Sequence, residues 1–196
     1  MYVQAIIIGA GPSGISSYLQ LKKAGIECLI LEAGSKLKNR LDDKSSSSII
    51  NGFGGAGPYS DRKWSAFPAG TGLLKQNPYE LRDSFKTIIS HIKEAIPSHS
   101  REFEELLKTI TDFLGDNTVS SETIENKTTT REDLKLYPSV VLSSFDKAID
   151  ILKYFENKID AQDIRYGCFV KSIKPLSSNN YVVSYPNSVT TTVDIE

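Results

Sequence analysis

The period of the apolar positions changes along the chain. Residues 3–8, VQAIII, form a short, β-branched, largely apolar run, and AIII at 5–8 has the pattern of a central parallel strand apolar on both faces. GAGPSG follows at once, from Gly9 to Gly14. In ISSYLQLKKAG, Ile15, Leu19 and Leu21 or Lys22 recur at helical spacing before Gly25. ECLILE is then a second apolar run. Strand, glycine turn, helix and strand make a βαβ unit of about thirty residues.

Further on, NPYELRDSFKTIISHIKEAI predicts a helix. Asn77 can cap it, Pro78 suits the first turn and Glu80 stands at the capping-box position. Leu81, Phe85, Ile88, Ile92 and Ala95 share one face, and Pro97 ends it. A second helix over 101–114 turns Phe103, Leu106, Leu107, Ile110 and Leu114 inward and stops at Gly115. A third, over 144–159, turns Phe145, Ile149, Leu152 and Phe155 inward. The polar stretch 119–135 reads as a loop, and Ser45–Ser48 as a solvated turn. At the end, SSNN and PNS separate three short strands, 169–175, 181–185 and 189–195. The expected fold class is α/β: a parallel sheet, a helical insertion and a C-terminal β-meander. The expected segments are 1–75, 76–160 and 161–196.

Composition narrows the function. The 23 basic and 24 acidic residues nearly cancel and form no basic stripe, which argues against nucleic acid or an anionic membrane as partner. Cys28 and Cys168 stand far apart, with neither CxxC nor zinc-like spacing, so two reduced thiols and no metal are expected. No run has the length of a membrane span, and the N-terminus lacks the basic region of a signal peptide. These features set the expectation of a cytoplasmic protein.

The glycine turn carries the chemistry. Gly9 allows the tight exit from the strand. Gly11, without a Cβ, leaves room for a pyrophosphate, and Gly14 lets the helix pack against the sheet. Pro12 and Ser13 open the helix, whose N–H groups and positive end attract phosphate. Glu32 lies 18 residues past Gly14, at the end of the second strand. A carboxylate there accepts hydrogen bonds from ribose hydroxyls and repels a 2′-phosphate. The context of strand, helix and acidic residue gives GxGxxG a weight it lacks alone, and points to a dinucleotide.

IIIGAGPSG…LEAG resembles the N-terminus of FAD-dependent oxidoreductases with the glutathione-reductase-type, Rossmann-like FAD-binding fold. FGGAGPYSDRKW, at 53–64, is similar to the GGAG-(T/A)-F-S-D-G-K-L segment of a group of FAD-dependent dehydrogenases, with Arg62 and Trp64 in place of glycine and leucine. The stretch 163–196 resembles the family's third parallel strand and β-meander, through Gly167, Val170 and Ile173. The resemblance covers roughly 1–65 and 160–196. It implies non-covalent FAD, hydride or electron transfer to a small-molecule substrate, and NAD(P)H as a possible donor in the full-length protein. It also implies a cofactor role for Ala33, for Gly54, Gly55, Ala56 and Gly57 along the flavin end, for Ser60 and Lys63 as donors, for Arg40 on a phosphate, and for the Val170 backbone at the adenine. In the family a further parallel strand follows. The chain stops at VDIE, so it is expected to be an N-terminal portion.

Two other readings stand beside the flavoenzyme: an NAD-binding dehydrogenase, and a non-catalytic nucleotide-binding fragment. No side chain is marked as catalytic acid or base. The cysteines are not placed for a flavin–disulfide relay. Trp64 reads as a core anchor, His91 and His99 as packing or surface residues, and Asp61 as a surface partner of Arg62 or Lys63.

Overall fold

The computed structural model describes residues 2–43, 45–59, 62–66, 69, 73, 76–115, 129–131, 134–177, 180–186 and 188–192. In chain order the regular elements are β1 (Tyr2–Val3), β2 (Ala5–Ile8), α1 (Pro12–Lys23), β3 (Cys28–Leu31), α2 (Leu37–Asp42), α3 (Ser46–Ile50), β4 (Lys63–Ser65), α4 (Pro78–Ala95), α5 (Ser100–Gly115), β5 (Thr129–Arg131), β6 (Leu134–Leu136), β7 (Ser139–Val141), α6 (Phe145–Asn157), β8 (Ile164–Arg165), β9 (Ser172–Pro175), β10 (Tyr181–Tyr185) and β11 (Ser188–Thr192). They fall into two compact units. One is Met1–Ser60 with Leu152–Glu196, the other Asp61–Ile151.

The first unit is α/β and holds two sheets. A parallel sheet has the order β2-β3-β8, with Ala5 opposite Cys28 and Ile30 opposite Ile164. A second sheet has the order β1-β11-β10-β9, antiparallel except where β1 runs parallel to β11. The apolar run 3–8 therefore does not form one strand. Gln4 breaks it, accepting the Glu27 N–H on Oε1 at 2.6 Å, so that Tyr2–Val3 joins the meander and Ala5–Ile8 the parallel sheet. The sheets share a core of Val3, Leu29, Leu31, Cys168, Val183 and Tyr185. All four residues of β3 are buried, as its all-apolar sequence requires. Each buried Leu or Ile there contributes about 1.5–3 kcal/mol of burial free energy.

Helix α1 buries Ile15 and Tyr18. It stops where Gly25 takes φ +76°. The Gly25 N–H then reaches the Lys22 carbonyl and the Ile26 N–H the Leu21 carbonyl, a Schellman closure. Tyr18 extends its hydroxyl to Asp163, accepts the Asp160 N–H, and so ties the back of α1 to the segment before β8.

The second unit contains the helices α4 and α5. Asn77 caps α4 by accepting the Tyr79 N–H, and Pro78 occupies the first turn. Ile89 and Ile92 are its buried residues, and Ile88 faces outward, one position off the expected stripe. In α5 Phe103, Leu106 and Ile110 are buried as expected. Trp64 on β4 packs edge-on against Phe103, in line with a packing role. His99 is buried, and its Nε2 accepts the Ser143 N–H.

Four other expectations change. The stretch 119–135 is not wholly a loop, since β5 and β6 pair as a hairpin; residues 116–128 lie outside the described residues. Ser45–Ser48 is not a solvated turn. Ser45 caps α3, and Ser48 is buried with its hydroxyl donating to the Asp43 carbonyl. Phe145 is exposed at the start of α6. The strand expected from residue 169 begins only at Ser172, because residues 166–171 form the connection out of β8.

Candidate functional site

The glycine turn lies between β2 and α1. Gly9 has φ +95°, and its N–H donates to the Leu31 carbonyl, which fixes the turn to the end of β3. A Cβ on Gly14 would stand 1.9 Å from the Gly9 oxygen, so no larger residue fits without moving α1 off the sheet. A Cβ on Gly11 would meet nothing within 4 Å. Gly14 is thus dictated by packing within the chain, while Gly11 has open space in front of it. Pro12 and Ser13 are exposed in the first turn of α1, which contains no acidic residue. A positive helix end with no carboxylate of its own is suited to an anion.

Beside the turn lies a pocket of about 270 Å³. Gly9, Glu32, Ala33, Asn51, Gly52, Gly55 and Val170 line it, together with the apolar Ile8, Leu31, Ile50, Cys168 and Phe169. Ile8, Ile50 and Phe169 are 50%, 65% and 66% exposed, so its mouth is apolar. Val170 is where the resemblance implies the adenine ring, and it forms part of this wall.

Glu32 is 5% exposed and holds three chain segments together. One carboxylate oxygen accepts the Ala10 N–H at 2.6 Å. The other accepts Gly34 N–H at 2.8 Å and Gly52 N–H at 2.9 Å. The carboxylate that was expected to read a ribose therefore closes the glycine turn, the end of β3 and the 50s loop around itself. These charge-assisted bonds explain how a carboxylate can be buried here with no ion pair to it among the described residues.

The loop Gly52–Gly57 is shaped from within. Gly54 N–H donates to Ala10 O at 2.8 Å and Gly55 N–H to Gly52 O at 3.0 Å. Both amides are thus used inside the chain. Gly54, at φ +87°, lies against Leu152, where a Cβ would approach Cδ2 to 2.5 Å. Gly55 faces the first turn of α1, where a Cβ would stand 3.5 Å from the Gly11 Cα. Ala56 and Gly57 are exposed. Ser60 lies outside the described residues, and Lys63 belongs to β4 of the second unit.

Arg40 also departs from expectation. It is 1% exposed, and its guanidinium donates to the carbonyls of Ser48, Ile49, Phe53 and Gly55. It faces the loop backbone, and four of its five N–H groups are engaged, so it does not present itself to a phosphate. Burial lowers its pKa, opposed by Tyr59 and Glu32, yet a guanidinium keeps its charge.

The sequence left Asn51, Ile50, Gly52 and Phe169 unmarked as pocket residues. Their position depends on how Arg40 and Glu32 fold the loop, and no local periodicity encodes that. The two cysteines are free and buried, and burial raises both thiol pKa values. Among the described residues no cluster of His, Cys, Asp and Glu suits a metal ion, and no helix is long and apolar enough to cross a membrane.

No protein-family model matches this chain, and no curated protein matches it. Solved structures do. An L-amino acid deaminase from Proteus vulgaris aligns over 97% of this chain and 46% of its own, at 12% identity and TM-score 0.48. An oxidized steroid monooxygenase bound to NADP aligns over 98% and 25%, at 12% identity and TM-score 0.44. A bacillithiol disulfide reductase from Staphylococcus aureus aligns over 98% and 36%, at 13% identity and TM-score 0.40. The chain spans a quarter to half of the length of these proteins.

Proposed function

We propose that the first unit binds the ADP half of FAD, and that the protein to which this chain belongs is an FAD-dependent oxidoreductase acting on a small-molecule substrate. The observation that carries the reading is the glycine turn itself. Gly14 is held at zero side chain by the 1.9 Å approach to Gly9 O, while Gly11 faces open space at the start of a 12-residue helix with no acid in its first turn. A purely structural turn needs the first property and not the second. The adjoining pocket has the apolar mouth and few polar groups of a cofactor site.

In this reading the pyrophosphate lies at the N-terminus of α1, held by backbone N–H groups at Ser13 and Gly14. The adenosine occupies the pocket between Gly9, Ala33 and Val170. Glu32 holds the pocket together and adds negative charge next to the ribose, which disfavours a 2′-phosphate. Flavin, when bound, supplies hydride or electron transfer, and the chain supplies position. NAD(P)H as donor belongs to the same proposal.

The test is a visible absorption spectrum of the purified chain after incubation with FAD and desalting. Retention of the two-band flavin spectrum supports the reading. Retention of NAD with no retention of FAD transfers the site to a nicotinamide dehydrogenase. Retention of neither removes the cofactor role from this chain.

A further inference from the structure

Arg40 is a buried cation whose neighbours are almost all backbone. None of the ion pairs among the described residues includes it. Its Nε donates to Ser48 O at 2.8 Å, one terminal nitrogen donates to Phe53 O, and the other donates to Ile49 O and Gly55 O, each at 3.0 Å. The Tyr59 ring covers the guanidinium at 5.1 Å, and its hydroxyl returns to the Arg40 carbonyl. Four carbonyls from an eight-residue stretch thus converge on one planar fork. The same stretch supplies Ile50, Asn51, Gly52 and Gly55 to the pocket wall. Gly52 fits only because it lacks a side chain: a Cβ there would stand 2.3 Å from the Arg40 Cδ.

We propose that Arg40 is a positioning residue of the nucleotide pocket: its guanidinium wraps residues 48–55 around itself and sets the pocket wall before any ligand arrives. This rests on the reading of the pocket as a nucleotide site. A lysine cannot replace it. An ammonium is a point charge with three donors, and it cannot span four carbonyls arranged around a planar fork. An unwrapped wall must be ordered when ligand binds, and that cost appears as lost affinity.

The experiment uses the full chain with Arg40→Lys, Arg40→Ala and Gly52→Ala. Amide hydrogen exchange is followed without ligand, and ADP binding by titration calorimetry. The expected result is exchange at 48–55 faster by about tenfold or more, with α1 and α5 as protected as in the parent chain. ADP affinity falls by a comparable factor, and guanidinium restores protection and affinity to Arg40→Ala where the same concentration of sodium chloride does not. Parent-like protection at 48–55 in Arg40→Lys overturns the proposal. So does exchange that rises throughout α1, because Arg40 would then hold the fold and not the wall. Gly52→Ala keeps the cation and displaces it, so an unchanged 48–55 segment in that variant also counts against the proposal. Should the parent chain fail to bind ADP, the nucleotide reading fails by itself, and the exchange data still decide whether Arg40 sets the loop.

Discussion

Gly14 and Glu32 are the two residues whose replacement gives the clearest readout. Alanine at 14 puts a methyl on the Gly9 carbonyl, and backbone cannot yield as a flexible side chain can. Overpacking of this kind costs on the order of 1–3 kcal/mol, so Gly14→Ala should lower the urea midpoint measurably. Glu32→Gln keeps the shape but presents an NH2 group to backbone N–H groups that now have an acceptor. One or more of Ala10, Gly34 and Gly52 loses its partner, at about 1–3 kcal/mol for each buried donor left unmet. Chemical denaturation of the variant checks this, and an unchanged midpoint would show that the three bonds do not hold the loop. Neither Cys28 nor Cys168 should react with a thiol reagent in the folded chain at mildly alkaline pH, while both should react after unfolding.

Titration adds a direction at the same scale. Burial raises the pKa of Cys28, Cys168, Tyr18 and Tyr166, and the hydrogen bond to Asp163 raises that of Lys22. A raised folded-state pKa means that the unfolded chain releases its proton first. The contribution to stability is complete below the unfolded-state values, about 8.5 for a thiol and about 10 for Tyr and Lys. It disappears as pH climbs through the folded-state values. The urea midpoint should therefore fall from neutral pH towards pH about 10, and a midpoint that stays level or rises contradicts the assignment.

Among the elements, what was legible followed from periodicity and punctuation. The βαβ order of β2, α1 and β3 was readable because a turn rich in glycine separates two apolar runs from a helical pattern. The Asn77 cap and the buried face of α5 were readable for the same reason. Tertiary partners decided the rest. In VQAIII the polar Gln4 marks the place of the break, but its partner, the Glu27 N–H, lies 23 positions away and no local pattern shows it. The serines after Asp43 look like a low-complexity turn, but Ser45 caps a helix and Ser48 is buried, with its carbonyl on Arg40. For the site, the glycines of the turn and the wall residues Glu32, Ala33, Gly55 and Val170 were legible, while Ile50, Asn51, Gly52 and Phe169 were not. Glu32 was marked as a ligand contact by its spacing from the glycine turn and Arg40 by the family resemblance, and both bind chain backbone. Their partners span positions 10 to 55, which no local pattern records.

At the scale of the whole molecule the two units carry different loads. Met1–Ser60 with Leu152–Glu196 contains the parallel sheet, the meander and every residue of the pocket, while Asp61–Ile151 contains α4, α5 and the small sheets. The proposed nucleotide pocket therefore lies wholly within the first unit. The most direct measurement is a calorimetric titration of the purified chain with FAD and separately with ADP. The account predicts saturable one-to-one binding of both, with ADP displacing FAD, and weaker binding of a 2′-phosphorylated adenosine nucleotide at the same site. No saturable heat with either ligand up to about 1 mM, equivalent to about −4 kcal/mol, would contradict it.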